Sequence, residues 1–462
     1  MPASIDSLLW VPYASLSDAT VTRIKKALTI KPRGFGGDEP KPIKCWFDDD
    51  SGTKLGLPIH FGLTSKLVQG NLGSIEQCFS YGFETFFSER PDPHHPKAAP
   101  GQAKFMADVL AAVRKEFVVL AEAPTGTGKT VVVLNTAAEL GVTTLVVVPN
   151  KSVAQQWEDE IVKHLGAGRE HIGRVEEGQY RYEWCPIVIA VIHNLAQKQF
   201  PEEFYSYFGF VAFDECQVLG APSFAQTMYQ FPARYKMATS ATPDRRDGCE
   251  NVFLYYFGPP AVISEAEALA ADCYVIPYKK PGNPYPAAMP PARQLNCLVR
   301  DSARNELILK KGILAFHTKD RCALIVGARV EHLQLLMALS YEAGIPEKSM
   351  GLFIRQWVTE EGKKKSFPQS HLEDIKADSN IRFIFATYGM FKYAIDIPRL
   401  DAGIDVTPQA EGVQMIGRIR RPLPGKKRPV WLTIHDVGNV TFSRYLACRL
   451  REFRANNVTV HN

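Results

Sequence analysis

The chain reads as an α/β protein with two parallel-sheet domains preceded by a small N-terminal accessory domain. Three observations predict this. Short aliphatic runs alternate with helix-like stretches from about residue 98 to 258, and again from about 295 to the end. A Pro-rich interval separates the two series, and a Pro/His-rich stretch, RPDPHHPKAAPG, precedes the first. Strands buried on both faces appear as continuous apolar runs, the signature of a parallel sheet with helices on each side.

Residues 1–95 mix short apolar runs with turn-rich segments such as KPRGFGGDEPKP and DDDSG, and form the expected accessory domain. In the first series a helical segment, GQAKFMADVLAAVRKEF, leads into the strand FVVLAEAP. The later strand candidates are TTLVVVP, CPIVIAVI, FGFVAFDE and YKMATSAT. Residues 259–294 read as a connection. The domain 295–462 opens with a helix over RNELILKKGILAF, followed by the strands CALIVGA, IRFIFATY, AGIDVTP and PVWLTIHD. A length of 462 residues accommodates this plan, at roughly 100–200 residues per domain.

Composition excludes several classes. Apolar residues are 45% and charged residues 22%, values of a globular protein. No run approaches the ~20 apolar residues of a membrane span. The opening MPASIDSLLW lacks a basic segment followed by an apolar one, so a cytoplasmic protein without a signal peptide is expected. Nine scattered cysteines, none in a C-x-x-C pair, argue against a disulfide framework or a common zinc site. His94 and His95 read as part of a solvated linker. The net charge of +5 is modest, but Gln414–Arg454 holds ten Lys/Arg against two Asp/Glu. That segment could meet phosphates, although charge alone fits a solvated surface equally well.

The strongest local signal is Ala123-Pro124-Thr125-Gly126-Thr127-Gly128-Lys129-Thr130, between a strand and a helix. Glycines let successive backbone N–H groups face one point, and the helix start adds positive charge. Lys129 then suits the β/γ-phosphates of ATP, and the Thr130 hydroxyl suits Mg²⁺. Further along, Asp214-Glu215-Cys216-Gln217 closes an apolar strand. Asp214 is placed to bind Mg²⁺, and Glu215 to orient and deprotonate the attacking water. Taken alone, such a pair could equally cap a helix.

From these residues onward the chain resembles superfamily 2 helicases, whose two ATP-dependent domains are RecA-like. The resemblance covers residues 98–455 and does not extend to the first ninety-five. Gln217 stands where the D-E-x-H box has His, a departure that bears on its coupling role. The segment Ser240-Ala241-Thr242 resembles the motif linking ATP state to track binding. Its extension through Arg245 to Gly248, T-P-x-R-x-D-G, is similar to the XPB-like and UvsW-like DNA helicases and to restriction-enzyme motors. Helicases of T5-like phages share this cast. Thr387 and Tyr388, with Asp396 further on, resemble motif V, in which Thr387 would touch the track and Asp396 the ribose. Ala394 replaces the usual glycine there. Gln414, Arg418 and Arg421 resemble motif VI and share a helical face. The resemblance implies that the two arginines reach the triphosphate.

It also implies adenine reading by Gln102, and track contacts by Pro149, Asn150, Lys151, His193, Asn194, Arg245 and Arg329. The function implied is an ATP- and Mg²⁺-dependent helicase that unwinds or migrates forked or branched DNA in replication, recombination or repair. RNA is a less favoured track. A duplex translocase and a nucleic-acid-binding protein with a degenerate ATPase fold are the alternatives.

Overall fold

The computed structural model describes the chain apart from residues 1, 33–40, 94, 96–100, 125–126, 242, 244, 246, 265–268, 281–288, 355, 359–363, 391–396, 411, 424 and 462, and apart from the side chains of 291, 356–358, 364, 369, 413 and 414. It divides into two compact units, Met1–Ala266 and Glu267–Asn462.

Unit 1 begins with β1 (Ala3–Ile5), β2 (Leu9–Pro12), β3 (Thr29–Ile30), β4 (Ile43–Lys44), β5 (Phe47–Asp48), β6 (Lys54–Leu57) and β7 (Ile75–Gln77). Five of these form a mixed sheet in the order β5-β6-β2-β1-β7, and β3 pairs with β4. The larger sheet comprises β8 (Val118–Glu122), β9 (Thr144–Val148), β10 (Ile172–Glu176), β11 (Gln179–Arg181), β12 (Ile187–Val191), β13 (Phe210–Phe213), β14 (Tyr235–Ser240) and β15 (Val262–Ile263). Its order is β11-β10-β12-β9-β13-β14-β8-β15. Every pairing is parallel except the antiparallel β10–β11 hairpin at one edge. All five predicted aliphatic runs are strands of this sheet.

The N-terminal sheet does not stand apart. One apolar cluster runs from Ile5 and Leu57 through Val211 to Phe257, so the small sheet and one face of the large one share a core. Polar ties cross the same boundary. The Tyr256 hydroxyl donates to the Ser7 carbonyl at 2.8 Å, and the fully buried Lys236 ammonium donates to the Asp6 carbonyl at 3.1 Å.

Unit 2 contains β16 (Ala271–Tyr278), β17 (Ala323–Gly327), β18 (Met350–Phe353), β19 (Gln356–Val358), β20 (Lys364–Ser366), β21 (Phe383–Thr387), β22 (Ala402–Asp405), β23 (Val430–Asp436) and β24 (Val458–His461). Seven strands form an all-parallel sheet, β18-β21-β17-β22-β23-β16-β24, and β19 pairs with β20. Alternate residues of each strand feed separate clusters, Leu324 and Val326 on one face and Ala323 and Ile325 on the other. The buried Asp405 at the end of β22 pairs with Arg449 at 2.9 Å. It also accepts from the Trp431 indole at 2.7 Å and the Thr433 hydroxyl at 2.9 Å. The Trp431 ring lies so close to Gly403 that a Cβ there would meet it at 2.3 Å.

The interval 259–294, read as a connection, contains two strands. β15 completes the first sheet and β16 lies next to the edge of the second. Its prolines concealed β16. Pro277, which cannot donate to a ladder, sits past the reach of β24, whose pairing ends at Tyr274.

Candidate nucleotide site and nucleic-acid face

In a parallel sheet the loops at the carboxyl ends of the strands lie along one edge, where α/β proteins bind ligands. Along this edge of unit 1 the sheet order sets the sequence of groups. His193 follows β12, Pro149–Lys151 follow β9, Asp214 follows β13, Ser240 ends β14, and the Gly-rich loop follows β8. The phosphate-loop, acidic-box and Ser240 residues are therefore neighbours on adjacent strands, with the track candidates beside them.

The ladder itself sets the loop's origin, since Ala123 N–H donates to the Ser240 carbonyl at 2.9 Å. Ala123 is fully buried. Thr127 is buried too, and its hydroxyl turns to the Pro124 carbonyl at 2.7 Å. Gly128 caps the helix Lys129–Leu140 with φ +90°. A Cβ at Gly128 would lie 2.1 Å from Gln102 Nε2, so the Gln102 amide packs directly on the loop. Gln102 is buried at the start of the helix Gln102–Glu116. Thr130 occupies the first turn of its helix, half-buried. Thr125 and Gly126 lie outside the described residues.

Lys129 Nζ lies 3.5 Å from Glu215 Oε1 and 3.4 Å from the Ala123 carbonyl oxygen. Asp214 accepts from the Trp157 indole at 2.9 Å, the Thr239 hydroxyl at 3.1 Å and the Glu215 N–H at 3.0 Å. Burial, reinforced by the Glu215 charge, pushes the Asp214 carboxyl above the usual carboxylate range. Glu215 adopts a left-handed backbone, φ 51° and ψ 57°, which turns the chain into the short 3₁₀ segment Cys216–Gly220. Gln217 Nε2 donates to Glu215 Oε2 at 2.7 Å, and Gln217 Oε1 accepts from the Ser240 hydroxyl at 2.8 Å. Gln217 thus links the acidic box to Ser240 with a donor and an acceptor on one side chain.

This donor set fits a Mg²⁺–nucleotide. Two adjacent carboxylates face a single ammonium beside a helix N-terminus, so both a cation and an anionic phosphate have complementary partners. Among the described residues no trio of His, Cys, Asp and Glu could hold a metal ion. Mg²⁺ held here would take most of its ligands from phosphates and water, as Mg²⁺ commonly does. Trp157 and Thr239 were not legible as site residues. Both read as ordinary members of a helix and a strand.

The track candidates divide. Asn150 is the N-cap of the helix Lys151–Leu165 and accepts from Ser152 N at 3.0 Å and Val153 N at 3.1 Å. Pro149 is buried. Lys151 stands half out in solvent, 3.4 Å from Glu177. His193 is exposed and packs edge-on to Phe224, with Asn194 half-buried after it. Arg245, expected at the track, is turned inward onto Asp247 and the Gln217 carbonyl. Ala241 is buried at the end of β14, and Thr242 lies outside the described residues.

In unit 2 the corresponding strand ends carry Arg329, which donates to Asn296 Oδ1 at 3.3 Å, and Thr387, whose hydroxyl accepts from Met390 N at 3.4 Å. The Tyr388 hydroxyl donates to the Thr407 carbonyl, and burial raises its pKa well above the phenol range. That bond turns the hydroxyl into the unit. Arg418 lies in the last turn of the helix Val413–Ile419 and Arg421 lies just beyond it, both half-buried. Arg420 between them is structural, donating to the carbonyls of Leu269 at 2.6 Å and Asn456 at 2.7 Å. Asp396 and the Gln414 side chain lie outside the described residues.

Residues 95–245 match the family model of the type III restriction enzyme res subunit. A protein of Acanthamoeba polyphaga mimivirus, named as an ATP-dependent RNA helicase, is 23% identical over 459 residues, covering 96% of this chain and 83% of its own. A helicase-named protein of Escherichia phage T5 is 25% identical over 345 residues, 72% of this chain and 70% of its own. A structure from Vibrio vulnificus, assigned as the HsdR subunit of a type I restriction enzyme, matches with TM-score 0.52 at 16% identity, over 76% of this chain and 66% of that one. The fold is that of tandem RecA-like proteins, two parallel-sheet α/β units in one chain, and over residues 95–245 the sequence is similar to the res subunit of type III restriction enzymes. Within that class its resemblance runs to the restriction-motor and viral helicases, the phage T5 protein among them. No helix among the described residues is long and apolar enough to cross a membrane.

Proposed function

We propose that this chain is an ATP-driven DNA motor that unwinds or branch-migrates forked or branched DNA. The observation that carries the reading is the linkage of Lys129, Asp214, Glu215, Gln217 and Ser240 across three adjacent strand ends. In this reading Lys129 exchanges its Glu215 contact for the nucleotide's phosphates. Thr130 and Asp214 would hold Mg²⁺, which would offset phosphate charge, and Glu215, released from Lys129, orients and deprotonates the attacking water. Gln217 and Ser240 report the state of that carboxylate to β14. Gln102 bears on the base and, through Gly128, on the loop. Asp396, Gln414, Arg418 and Arg421 complete nucleotide recognition as the family resemblance implies. Lys151, His193, Asn194, Arg329 and Thr387 serve the sugar–phosphate backbone, whose contacts carry little sequence information. Residues 1–95 serve DNA recognition.

Turnover of ATP is expected to collapse in Lys129→Ala and Glu215→Gln while DNA binding is largely retained. Arg418→Ala or Arg421→Ala should cost on the order of 10³-fold or more in turnover. The deciding measurement is ATPase and strand separation over single-stranded, duplex, forked and four-way DNA, with a triplex-displacement assay alongside. ATPase without movement of any fork or junction would overturn the helicase reading, and triplex displacement alone would leave a duplex translocase. A second reading, an RNA motor, is favoured by the name of the mimivirus relative. Stronger ATPase stimulation by RNA than by DNA would select it.

A further inference from the structure

The segment after Ser240 contains a cation that the nucleotide site itself does not absorb. Arg245 Nε donates to Asp247 Oδ1 at 2.9 Å, Nη2 donates to Asp247 Oδ2, and Nη1 donates to the main-chain carbonyl of Gln217. All three guanidinium nitrogens are thereby engaged within the protein. The arm lies flat on the far end of the same 3₁₀ segment, because a Cβ on Gly220 would come within 2.5 Å of Arg245 Cδ. Asp247 is itself fixed, accepting from the Cys249 N–H at 3.1 Å. The Arg245 guanidinium holds its carboxyl below the usual range, so the pair is charged.

What the pair grips is a strained turn. Glu215 is a non-glycine residue in the left-handed region, and Gln217 follows two residues later with its side chain joining Glu215 to Ser240. Such a conformation costs roughly 1–3 kcal/mol and persists only where the surroundings over-determine it. Gln217 is held from two sides, its amide by Ser240 and its carbonyl by Arg245. Both holds come from one stretch of chain, the end of β14 and the turn after it.

We infer that Arg245 and Asp247 form a clamp that positions Gln217, and through it the Glu215 carboxylate, and that Arg245 is a positioning residue and no track contact. The clamp couples the turn after β14 to the acidic box. A displacement of Arg245 would move Gln217 by its main chain, while Ser240 at the end of β14 holds its side chain. The inference deepens the proposed ATPase reading and rests on it for its kinetic consequence, while the mechanical part stands on geometry within unit 1.

The test is a double-mutant cycle of Arg245→Ala and Gln217→Ala, with Arg245→Lys as the conservative variant. Arg245→Ala should lower DNA-stimulated kcat on the order of tenfold, the scale of one lost charge-assisted hydrogen bond, with the KM for ATP near that of the unaltered protein. The double variant should fall no lower than Gln217→Ala alone. Lysine, with one nitrogen, cannot bridge Asp247 and the carbonyl as the planar fork does, so Arg245→Lys should not restore kcat. The slope of log affinity for DNA against log salt should not change. Multiplying kinetic effects, rescue by lysine, or a salt slope smaller by about one would overturn the clamp and return Arg245 to the phosphate backbone. Hydrogen exchange supplies a readout independent of turnover. The Cys216–Gly220 amides should exchange faster in Arg245→Ala, and unchanged exchange would also overturn the clamp. If the unaltered protein turned over no ATP yet this acceleration appeared, the motor reading would fall and the clamp would stand.

Discussion

Gly128 shows how one backbone torsion joins two sequence signals. Its φ of +90° turns the loop into the helix Lys129–Leu140, and its missing side chain admits the Gln102 amide. Gly128→Ala is expected to cost about 1–3 kcal/mol from the torsion alone and to displace Gln102. Nucleotide affinity, followed by titration with a fluorescent ATP analogue, should weaken accordingly. In a denaturant melt, adding Gln102→Ala should recover the part of the stability loss due to collision but not the part due to torsion. Trp157 makes a similar point at Asp214. Its indole is one of three donors that settle a buried carboxylate. Trp157→Phe removes that donor and keeps the apolar bulk, so it should destabilise unit 1 by roughly 1–3 kcal/mol in a denaturant melt.

The helix Lys151–Leu165 sets two polar side chains in different surroundings at adjacent positions. Asn150 caps it, and Lys151 opens it into solvent. Asn150→Ala should lower stability by about 1 kcal/mol and leave alone the salt dependence of the proposed nucleic-acid binding. Lys151→Ala should do the reverse, with little change in melting and a salt slope reduced by about one. A fall in slope for Asn150→Ala beyond that of Lys151→Ala would restore Asn150 to the track. The same division explains which strands were legible. β8, β9, β12 and β13 are interior strands, buried along almost their whole length, and so are nearly pure apolar runs, while β14 beside them carries Lys236, Thr239 and Ser240. β16 is half-exposed and carries a proline, and β24 has four residues at an edge, so neither stands out from a loop in composition.

Across the whole molecule, the N-terminal sheet and the first parallel sheet form one unit around one core. Lys236 lies at their junction, fully buried under the Phe79 ring, with the Asp6 carbonyl as its acceptor. Burial pushes its pKa down to about 7, from the usual 10.5 of a lysine, against a smaller opposing effect of Asp6. The unfolded chain then binds the extra proton between those two values, so stability rises with pH across that window, and the burial penalty is fully present below pH 7. Lys236→Met should raise the stability of unit 1 more at pH 6 than at pH 9, measured by urea unfolding. An equal gain at both values would contradict a depressed lysine.

By itself the amino-acid sequence determined the two parallel sheets, the turn that leads from β8 into the helix Lys129–Leu140, and the acidic pair at the end of β13. Each is local, set by apolar burial along one strand or by a few residues at one turn. Only the tertiary structure decided that residues 1–95 share a core with the first domain, that Gln102 lies on Gly128, that Trp157 serves Asp214, that Tyr388 bonds inward and that Arg245 grips Gln217. Those are contacts between side chains and distant backbone. Residue type and spacing leave an arginine or an asparagine equally suited to solvent, cap, clamp or phosphate, and the neighbours that packing brings to each one make the choice.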